Sequence, residues 1–209
     1  SVAARIVAPR PNITAGRSEF VYTRPMVGLP QGDSPFILNS SYTITADIEV
    51  PQGGAEGVML TSGGRFGGYG LFLSKGEFGF NRGRVVFLYN LLDLERTAWE
   101  GPALDGGKHT IVFAFTPGEP GLGKGGTGVL SVDGKEVARN SLEHTTPITF
   151  PEDETFDIGL DAQVVLMRQD DPRVGDPRFF TALNLAELLL GQERAVGVEA
   201  LGEAAHRAA

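Results

Sequence analysis

The chain has 209 residues, no cysteine and a formal net charge of −8, from 26 acidic and 18 basic residues. The absence of cysteine excludes a thiol nucleophile and a thiolate metal site, and the acidic balance disfavours nucleic acid and anionic membrane surfaces as partners. No apolar run approaches the roughly 18 residues that a membrane-spanning helix needs. The length allows one domain, with or without appendages. The start has neither an initiator methionine nor a signal-peptide core, as expected of a cut piece or a partial reading frame.

Residues 1–39 are predicted to form an extended arm. Prolines recur through this stretch, where they remove backbone donors and keep the chain extended. Apolar side chains such as Phe20, Tyr22 and Phe36 are too frequent for a free linker. We therefore expect the arm to lie on a protein surface, one candidate being a domain outside this chain.

Residues 40–161 are predicted to form an antiparallel β-sandwich or jelly roll. Apolar and polar residues alternate from Tyr42 to Val50 with the period of a half-buried strand. On a strand predicted over 108–116, Ile111, Phe113 and Phe115 share one face. Further strands are predicted at 58–60, 69–74, 77–81, 84–90, 128–132 and 135–139. They are joined by a glycine-rich turn at 63–68, a short hairpin at Lys75-Gly76 and a strong hairpin signal at Asp133-Gly134.

The composition changes from β to α after Asp161. Leucine and alanine over 182–190 favour a short helix that ends at Gly191. The prediction is therefore a mainly β chain with three parts: an extended arm (1–39), a β-sandwich domain (40–161), and a loop with a short α-helical tail (162–209).

One glycine pattern has the formal spacing of a nucleotide-binding site. The stretch from Gly121 to Gly126 matches GxGxxG, but the residues after it predict a strand, whereas a dinucleotide site needs a helix there. A flexible hairpin loop explains the pattern better. The chain also has no Gly-x-Ser-x-Gly, so a serine hydrolase is disfavoured.

Acidic residues give two further candidates. Those at 152–154, with Asp157 and Asp161, match the oxygen chemistry of calcium, although a solvated loop is favoured. Glycoside hydrolysis needs two carboxylates that flank the bond at a fixed separation. Asp93 and Glu95 would share a face if this stretch were extended, but the neighbouring leucines predict a turn equally well. The three histidines are scattered. We predict no catalytic residue and no metal ligand in this chain.

A set of planar and hydrogen-bonding side chains supports a binding hypothesis. Such groups stack on sugars or pair with anionic substituents such as sulfate. Taken singly, each is better explained as a core aromatic or a charge at the rim of the fold. The predicted ligand-binding residues are Arg65, Tyr69, Tyr89, Asn90, Arg96 and Trp99.

Several short sequence segments resemble the carboxy-terminal region of bacterial arylsulfatases. They occur in the same order and at similar spacings as in that family, from about Ala8 to Asp161. They are Pro9-Arg10-Pro11-Asn12-Ile13-Thr14-Ala15-Gly16-Arg17, Thr43-Ile44-Thr45-Ala46-Asp47-Ile48-Glu49-Val50-Pro51, Gly54-Ala55-Glu56-Gly57-Val58, Gly63-Gly64-Arg65-Phe66-Gly67-Gly68, Tyr89-Asn90-Leu91-Leu92 with Glu95-Arg96, Gly107-Lys108-His109-Thr110-Ile111, Gly121-Leu122-Gly123-Lys124-Gly125-Gly126 and Asp153-Glu154-Thr155-Phe156-Asp157. After Asp161 the chain departs from the family pattern, which would continue into a closing strand. That departure would leave one sheet edge uncovered unless the tail or the arm pairs with it.

The resemblance implies a concanavalin A-like sandwich appended to an alkaline-phosphatase-like catalytic domain. In that domain a Cys or Ser of a Cys/Ser-x-Pro-x-Arg motif becomes formylglycine and acts beside calcium. This chain has no cysteine and no serine in that pattern, so neither cofactor is expected here.

The resemblance predicts a non-catalytic module whose partner is a sulfatase catalytic domain. The sequence leaves the compartment undetermined between the bacterial cytoplasm and the periplasm. The alternatives are a free-standing carbohydrate-binding domain, whose ligand would be a glycan, and an inert gene fragment.

Overall fold

The computed structural model describes residues 14, 16–64, 66–74, 83–148, 150 and 155–159. Within these residues the chain forms ten β-strands and one short 3₁₀ helix, Gln31–Asp33. The strands are β1 (Met26–Leu29), β2 (Tyr42–Val50), β3 (Gly57–Gly64), β4 (Gly67–Leu73), β5 (Arg84–Leu91), β6 (Glu95–Ala103), β7 (Gly107–Pro117), β8 (Lys124–Val132), β9 (Lys135–His144) and β10 (Phe156–Ile158). The prediction of a mainly β chain is confirmed for this part of the protein.

The strands form two antiparallel sheets. The first has six strands in the order β1-β10-β3-β4-β5-β6, and the second has four in the order β2-β7-β8-β9. The register of β2 on β7 is continuous from Tyr42 opposite Phe115 to Val50 opposite Gly107. Because β7 has paired strands on both sides, it lies at the centre of the second sheet.

The two sheets pack face to face through a shared apolar core. The rings of Phe87 on β5 and Phe113 on β7 stack with centroids 3.5 Å apart, and both side chains are fully buried. Ile111, Phe113 and Phe115 are all buried, so the alternation predicted for this strand is confirmed. Burial of side chains this large contributes roughly 1.5–3 kcal/mol each, and these contacts join the sheets without disulfides.

Two of the predicted turns are present as tight hairpins. Asp133 and Gly134 take φ of 52° and 77° between β8 and β9, the left-handed pair typical of a two-residue hairpin. Between β3 and β4, Gly63 lies opposite Gly68. A Cβ on Gly68 would overlap the Ser62 carbonyl and lie 2.8 Å from the Gly63 Cα, so the two backbones approach this closely only without side chains.

The predicted hairpin at Lys75-Gly76, with its strand over 77–81, lies outside the described residues. The described strands show that β4 pairs directly with β5, from Gly68 opposite Asn90 to Leu73 opposite Val85. The predicted α-helical tail and the residues before Thr14 also lie outside the described part.

Strands β1, β6 and β10 are absent from the prediction. Met26 on β1 pairs with Ile158 on β10, and Phe156 pairs in turn with Ser62 on β3. The Tyr22 ring packs on Phe156, with centroids 5.6 Å apart. This part of the arm therefore lies on the chain's own sheet and covers its edge.

Candidate functional site

Three of the six predicted ligand-binding residues are aromatic and lie in the core. Tyr69, Tyr89 and Trp99 are each at most 3% exposed. Tyr69 contacts Phe87 with ring centroids 6.3 Å apart, and its burial raises its pKa. A sugar stacks on an exposed ring face, and none of these rings presents one to solvent.

Trp99 joins the two sheets. Its ring meets Phe113 edge to face, with centroids 5.1 Å apart. Its indole Nε1–H donates a 2.8 Å hydrogen bond to the Gly128 carbonyl oxygen on β8. A Cβ on Gly128 would lie 2.7 Å from the indole ring, so the glycine makes room for the tryptophan.

Tyr89 and Asn90, at the end of β5, form hydrogen bonds with neighbouring loops. The Tyr89 hydroxyl donates to Thr146 Oγ1 (3.2 Å) and accepts from the Thr146 N–H (2.9 Å). Burial raises the pKa of Tyr89, and the Thr146 hydrogen bonds partly oppose that rise. Asn90 is buried, and its Nδ2 donates to the Gly64 carbonyl oxygen over 2.7 Å.

Arg96 forms an ion pair with Asp93 in the turn between β5 and β6. Leu92 and Asp93 both have positive φ, and Leu94 N–H donates to the Leu91 carbonyl oxygen over 2.8 Å. Asp93 therefore lies in a turn, which is the alternative that the leucines predicted.

The structure thus brings Tyr89, Asn90 and Arg96 together around one hairpin, while Trp99 lies further along β6 in the core. Arg65 lies outside the described residues. A ligand-binding role for these six residues stays a prediction. The contacts described for the other five residues are internal to the fold.

A polar groove where β2 ends and β7 begins was missed by sequence reasoning. Its volume is about 450 Å³, and Asp47, Lys108, His109, Thr110 and Asp133 line it. His109 Nδ1 lies 2.8 Å from Asp133 Oδ2, and the Thr110 hydroxyl donates to Asp47 over 2.7 Å. The Asp133-Gly134 turn was the available signal, because it places Asp133 next to His109 and Thr110 on β7.

Both ring nitrogens of His109 are held by acceptors. The Asp133 carboxylate and the Asp105 carbonyl oxygen, 3.0 Å from Nε2, raise the pKa of His109. In return, the His109 hydrogen bond lowers the pKa of Asp133. This pair connects the β8–β9 turn to β7, and it forms an ion pair next to solvent.

Asp157, one of the acidic residues considered for calcium, has a structural role in the described fold. Its buried carboxylate accepts a 2.5 Å hydrogen bond from the Gly28 N–H on β1 and another from the Thr155 hydroxyl. The described residues contain no group of three or more histidines, cysteines, aspartates or glutamates placed to hold a metal ion. Nor does any helix among them have the length and apolar character for crossing a bilayer.

One end of the sandwich carries an unusual apolar surface. There the β3–β4 and β5–β6 turns, the β7–β8 loop and the segments before β2 and after β9 meet. Contacts that connect them include Asn39 Nδ2 to the Pro147 carbonyl (2.9 Å) and Gly123 N–H to Asn39 Oδ1 (2.8 Å). Of the eight strongly exposed large apolar side chains in the described part of the chain, six belong to these segments. We call them the apolar end: Phe36, Phe66, Leu92, Leu94, Leu122 and Ile148.

Comparison of the chain with models of protein families gives no match. Comparison with curated proteins gives none either.

Proposed function

We propose that the chain is the non-catalytic, carboxy-terminal β-sandwich module of an arylsulfatase-type sulfuric ester hydrolase. In this proposal the two sheets belong to a jelly roll of the concanavalin A-like type, and the module docks on a catalytic domain and shapes access to it. The catalytic domain supplies formylglycine and calcium, and this chain supplies neither.

One observation carries the proposal. Three of the phrases that resemble the arylsulfatase family lie far apart in sequence but build the same end of the sandwich: the glycine turn around Phe66, the β5–β6 turn around Leu92, and the loop around Leu122. Other segments of the resemblance lie elsewhere, among them residues 43–51 along β2 and residues 107–111 at the start of β7. The three segments that meet at one end of the sandwich support a docking role for that end.

The described part of the arm is used mainly within the sandwich. Leu38 is buried in the common core, and Met26–Leu29 forms an edge strand of the first sheet. Phe36 is the residue of the arm that is exposed at the apolar end.

Two measurements test the proposal. The coding sequence upstream of Ser1 should encode, in frame, a domain with the Cys/Ser-x-Pro-x-Arg motif; an uninterrupted unrelated frame would contradict it. The chain alone, supplied with calcium, should show only background hydrolysis of an aryl sulfate ester. Turnover that survives repurification to homogeneity would refute a non-catalytic role.

A further inference from the structure

Strand β2 is a free edge of the second sheet within the described residues, since it pairs there with β7 alone. On β7, Thr110 N–H donates to the Asp133 carboxylate (2.9 Å), and the Thr110 carbonyl oxygen accepts from Asp133 N–H (2.8 Å). Both backbone groups of Thr110 therefore point away from β2. Because successive residues of a strand direct these groups to opposite sides, every second residue of β2 points them away from β7. We call these residues the outward set: Thr43, Thr45, Asp47 and Glu49.

The β2 edge has few of the features that protect edge strands from further pairing. Such edges are commonly short, bulged or interrupted by proline. β1 has four residues and an irregular register, and β6 contains Pro102 and has a register shift with β5. β2 has nine residues, contains no proline and keeps an unbroken register on β7. Its two charged residues have neighbours on β7, because Asp47 accepts from the Thr110 hydroxyl and Glu49 lies opposite Lys108.

The apolar face of β2 is only partly covered. Ile44, Ala46 and Ile48 are half-buried, whereas Ile111 and Phe113 on the neighbouring β7 are fully buried. The second sheet has four strands against six in the first, and a 3.5 Å hydrogen bond joins β9 to β6 at the margin opposite to β2. The second sheet is therefore the narrower one on the side of β2. A further strand on that side would widen it and cover these side chains.

The chain leaves the described fold at the end of the sandwich where β2 ends. β10 is antiparallel to β3 and so ends near the start of β3, where Gly159 N–H donates to the Met59 carbonyl oxygen over 2.8 Å. Residues 51–56 join the end of β2 to the start of β3. β2 and β10 therefore end at the same end of the sandwich. A segment that turned back from there would run antiparallel to β2.

The next residues have the reach and the composition of such a segment. Residues 160–163 can span up to about 13 Å, which is enough to cross the distance of about 10 Å between packed sheets. They are followed by Val164, Val165, Leu166 and Met167. A short, uncharged apolar run that contains β-branched residues is typical of a strand.

We propose that residues 163–168 pair with the free edge of β2 as a fifth strand of the second sheet. The segment exchanges backbone hydrogen bonds with the outward set and buries more of the apolar face of β2. An extended segment added to a sheet edge in this way is held mainly by its main chain. The pairing also removes an edge that would otherwise be open to other chains.

Amide hydrogen exchange of the whole chain, followed by nuclear magnetic resonance, tests the pairing. β7 protects the N–H groups of Ile44, Ala46 and Ile48 whether or not a fifth strand is present. With the strand in place, the N–H groups of the outward set should exchange within about tenfold of those three. Exchange of the outward set at the rate of an unstructured peptide would overturn the proposal. Protection that disappears on dilution would identify a second copy as the occupant and overturn it as well.

Proline substitutions test whether the named segment is the occupant. Successive N–H groups of a strand point to opposite sides, so one of Val164→Pro and Val165→Pro removes a donor directed at β2. At least one of these variants should speed exchange of the outward set by about tenfold or more, while the amides that face β7 stay protected. Val174→Pro, outside the apolar run, is the matched control and should change neither group. An outward set that stays protected in both run variants would exclude this segment.

Introduced thiols give a second readout, because the chain has no cysteine of its own. Thr45→Cys is combined in turn with Val164→Cys, Val165→Cys and Leu166→Cys, and each protein is treated with a short bismaleimide. Adjacent strands lie about 5 Å apart, so at least one pair should crosslink within a single chain. Ser141→Cys on β9 replaces Thr45→Cys in the control, where a separation of three strands, about 14 Å, should prevent the reaction. A complete lack of crosslinks from position 45 within one chain would refute the pairing.

Discussion

Replacement of Trp99 by phenylalanine separates a structural role for this residue from a ligand-binding one. The substitution removes the 2.8 Å donor to the buried Gly128 carbonyl oxygen, which costs about 1–3 kcal/mol when the acceptor is left unsatisfied. It also leaves a void beside Phe87 and Phe113, which adds about 1 kcal/mol. We therefore expect Trp99→Phe to lower the free energy of unfolding by about 2–4 kcal/mol.

The assay is urea unfolding followed by far-ultraviolet circular dichroism, since Trp99 is the sole tryptophan and its fluorescence is lost in the variant. Phe36→Leu is the matched control: it changes an aromatic side chain on the surface, where the loss should stay within about 0.5 kcal/mol. In the wild type, the fluorescence of Trp99 should resist quenching by iodide. A loss below about 0.5 kcal/mol for Trp99→Phe, together with weakened binding on a glycan array, would refute the core assignment and favour a carbohydrate-binding domain.

Three other substitutions test the packing and the polar contacts. Gly125→Ala should lower the free energy of unfolding by about 2–4 kcal/mol, because its Cβ would overlap carbonyl oxygens of β9. Gly53→Ala is the control, since its Cβ would lie in open space and should leave the stability unchanged. Equal urea midpoints for the two variants would contradict this expectation. Tyr89→Phe should cost about 1–3 kcal/mol, since a buried backbone N–H loses its acceptor, and an unchanged midpoint would contradict that. His109 has a raised pKa, so its ion pair with Asp133 stabilises the fold fully below about pH 6.5, and the stabilisation disappears as the pH rises through the folded-state pKa. The stability difference between wild type and His109→Gln, measured from about pH 5 to about pH 9, should shrink across that window. A constant difference would refute a stabilising ion pair between His109 and Asp133.

The two sheets could be predicted where local pattern and pairing agree. Tyr42–Val50 alternates because one face of β2 meets the core and the other meets water. The Asp133-Gly134 turn could be located because few residues other than Asn, Asp and Gly tolerate two successive left-handed conformations. In both cases the signal lies within about ten residues of sequence.

The strands that the sequence did not predict depend on pairing between residues that are far apart in the sequence. β10 has three residues, too few to show any period, and its partner β1 is bound through the Gly28–Asp157 hydrogen bond across 129 positions. β6 contains Gly101 and Pro102 and has only a few buried positions, among them Trp99. It is a strand because β5 pairs with it and Trp99 anchors it to β8, and neither cause is visible in a local window.

The placement of the candidate binding residues shows the same limit. β5 is buried on both faces from Val85 to Asn90, so the alternation that distinguishes inside from outside is lost there. The residue types of Tyr89 and Asn90 suit a binding site or a buried polar network equally well. Only the facing loop, which supplies Thr146, decides that the hydroxyl of Tyr89 is used internally.

The glycines and the exposed leucines at the apolar end are present for different physical reasons. The glycines are required by the fold, since a Cβ on Gly68 or Gly126 would overlap neighbouring backbone. The exposed leucines are not, because Leu122 is held out in water by a loop that would close equally well around a polar residue. An apolar side chain that the fold holds rigidly in solvent favours association, and the folded state gains little from it. The Gly125→Ala substitution therefore tests the fold, whereas a change at Leu122 tests association.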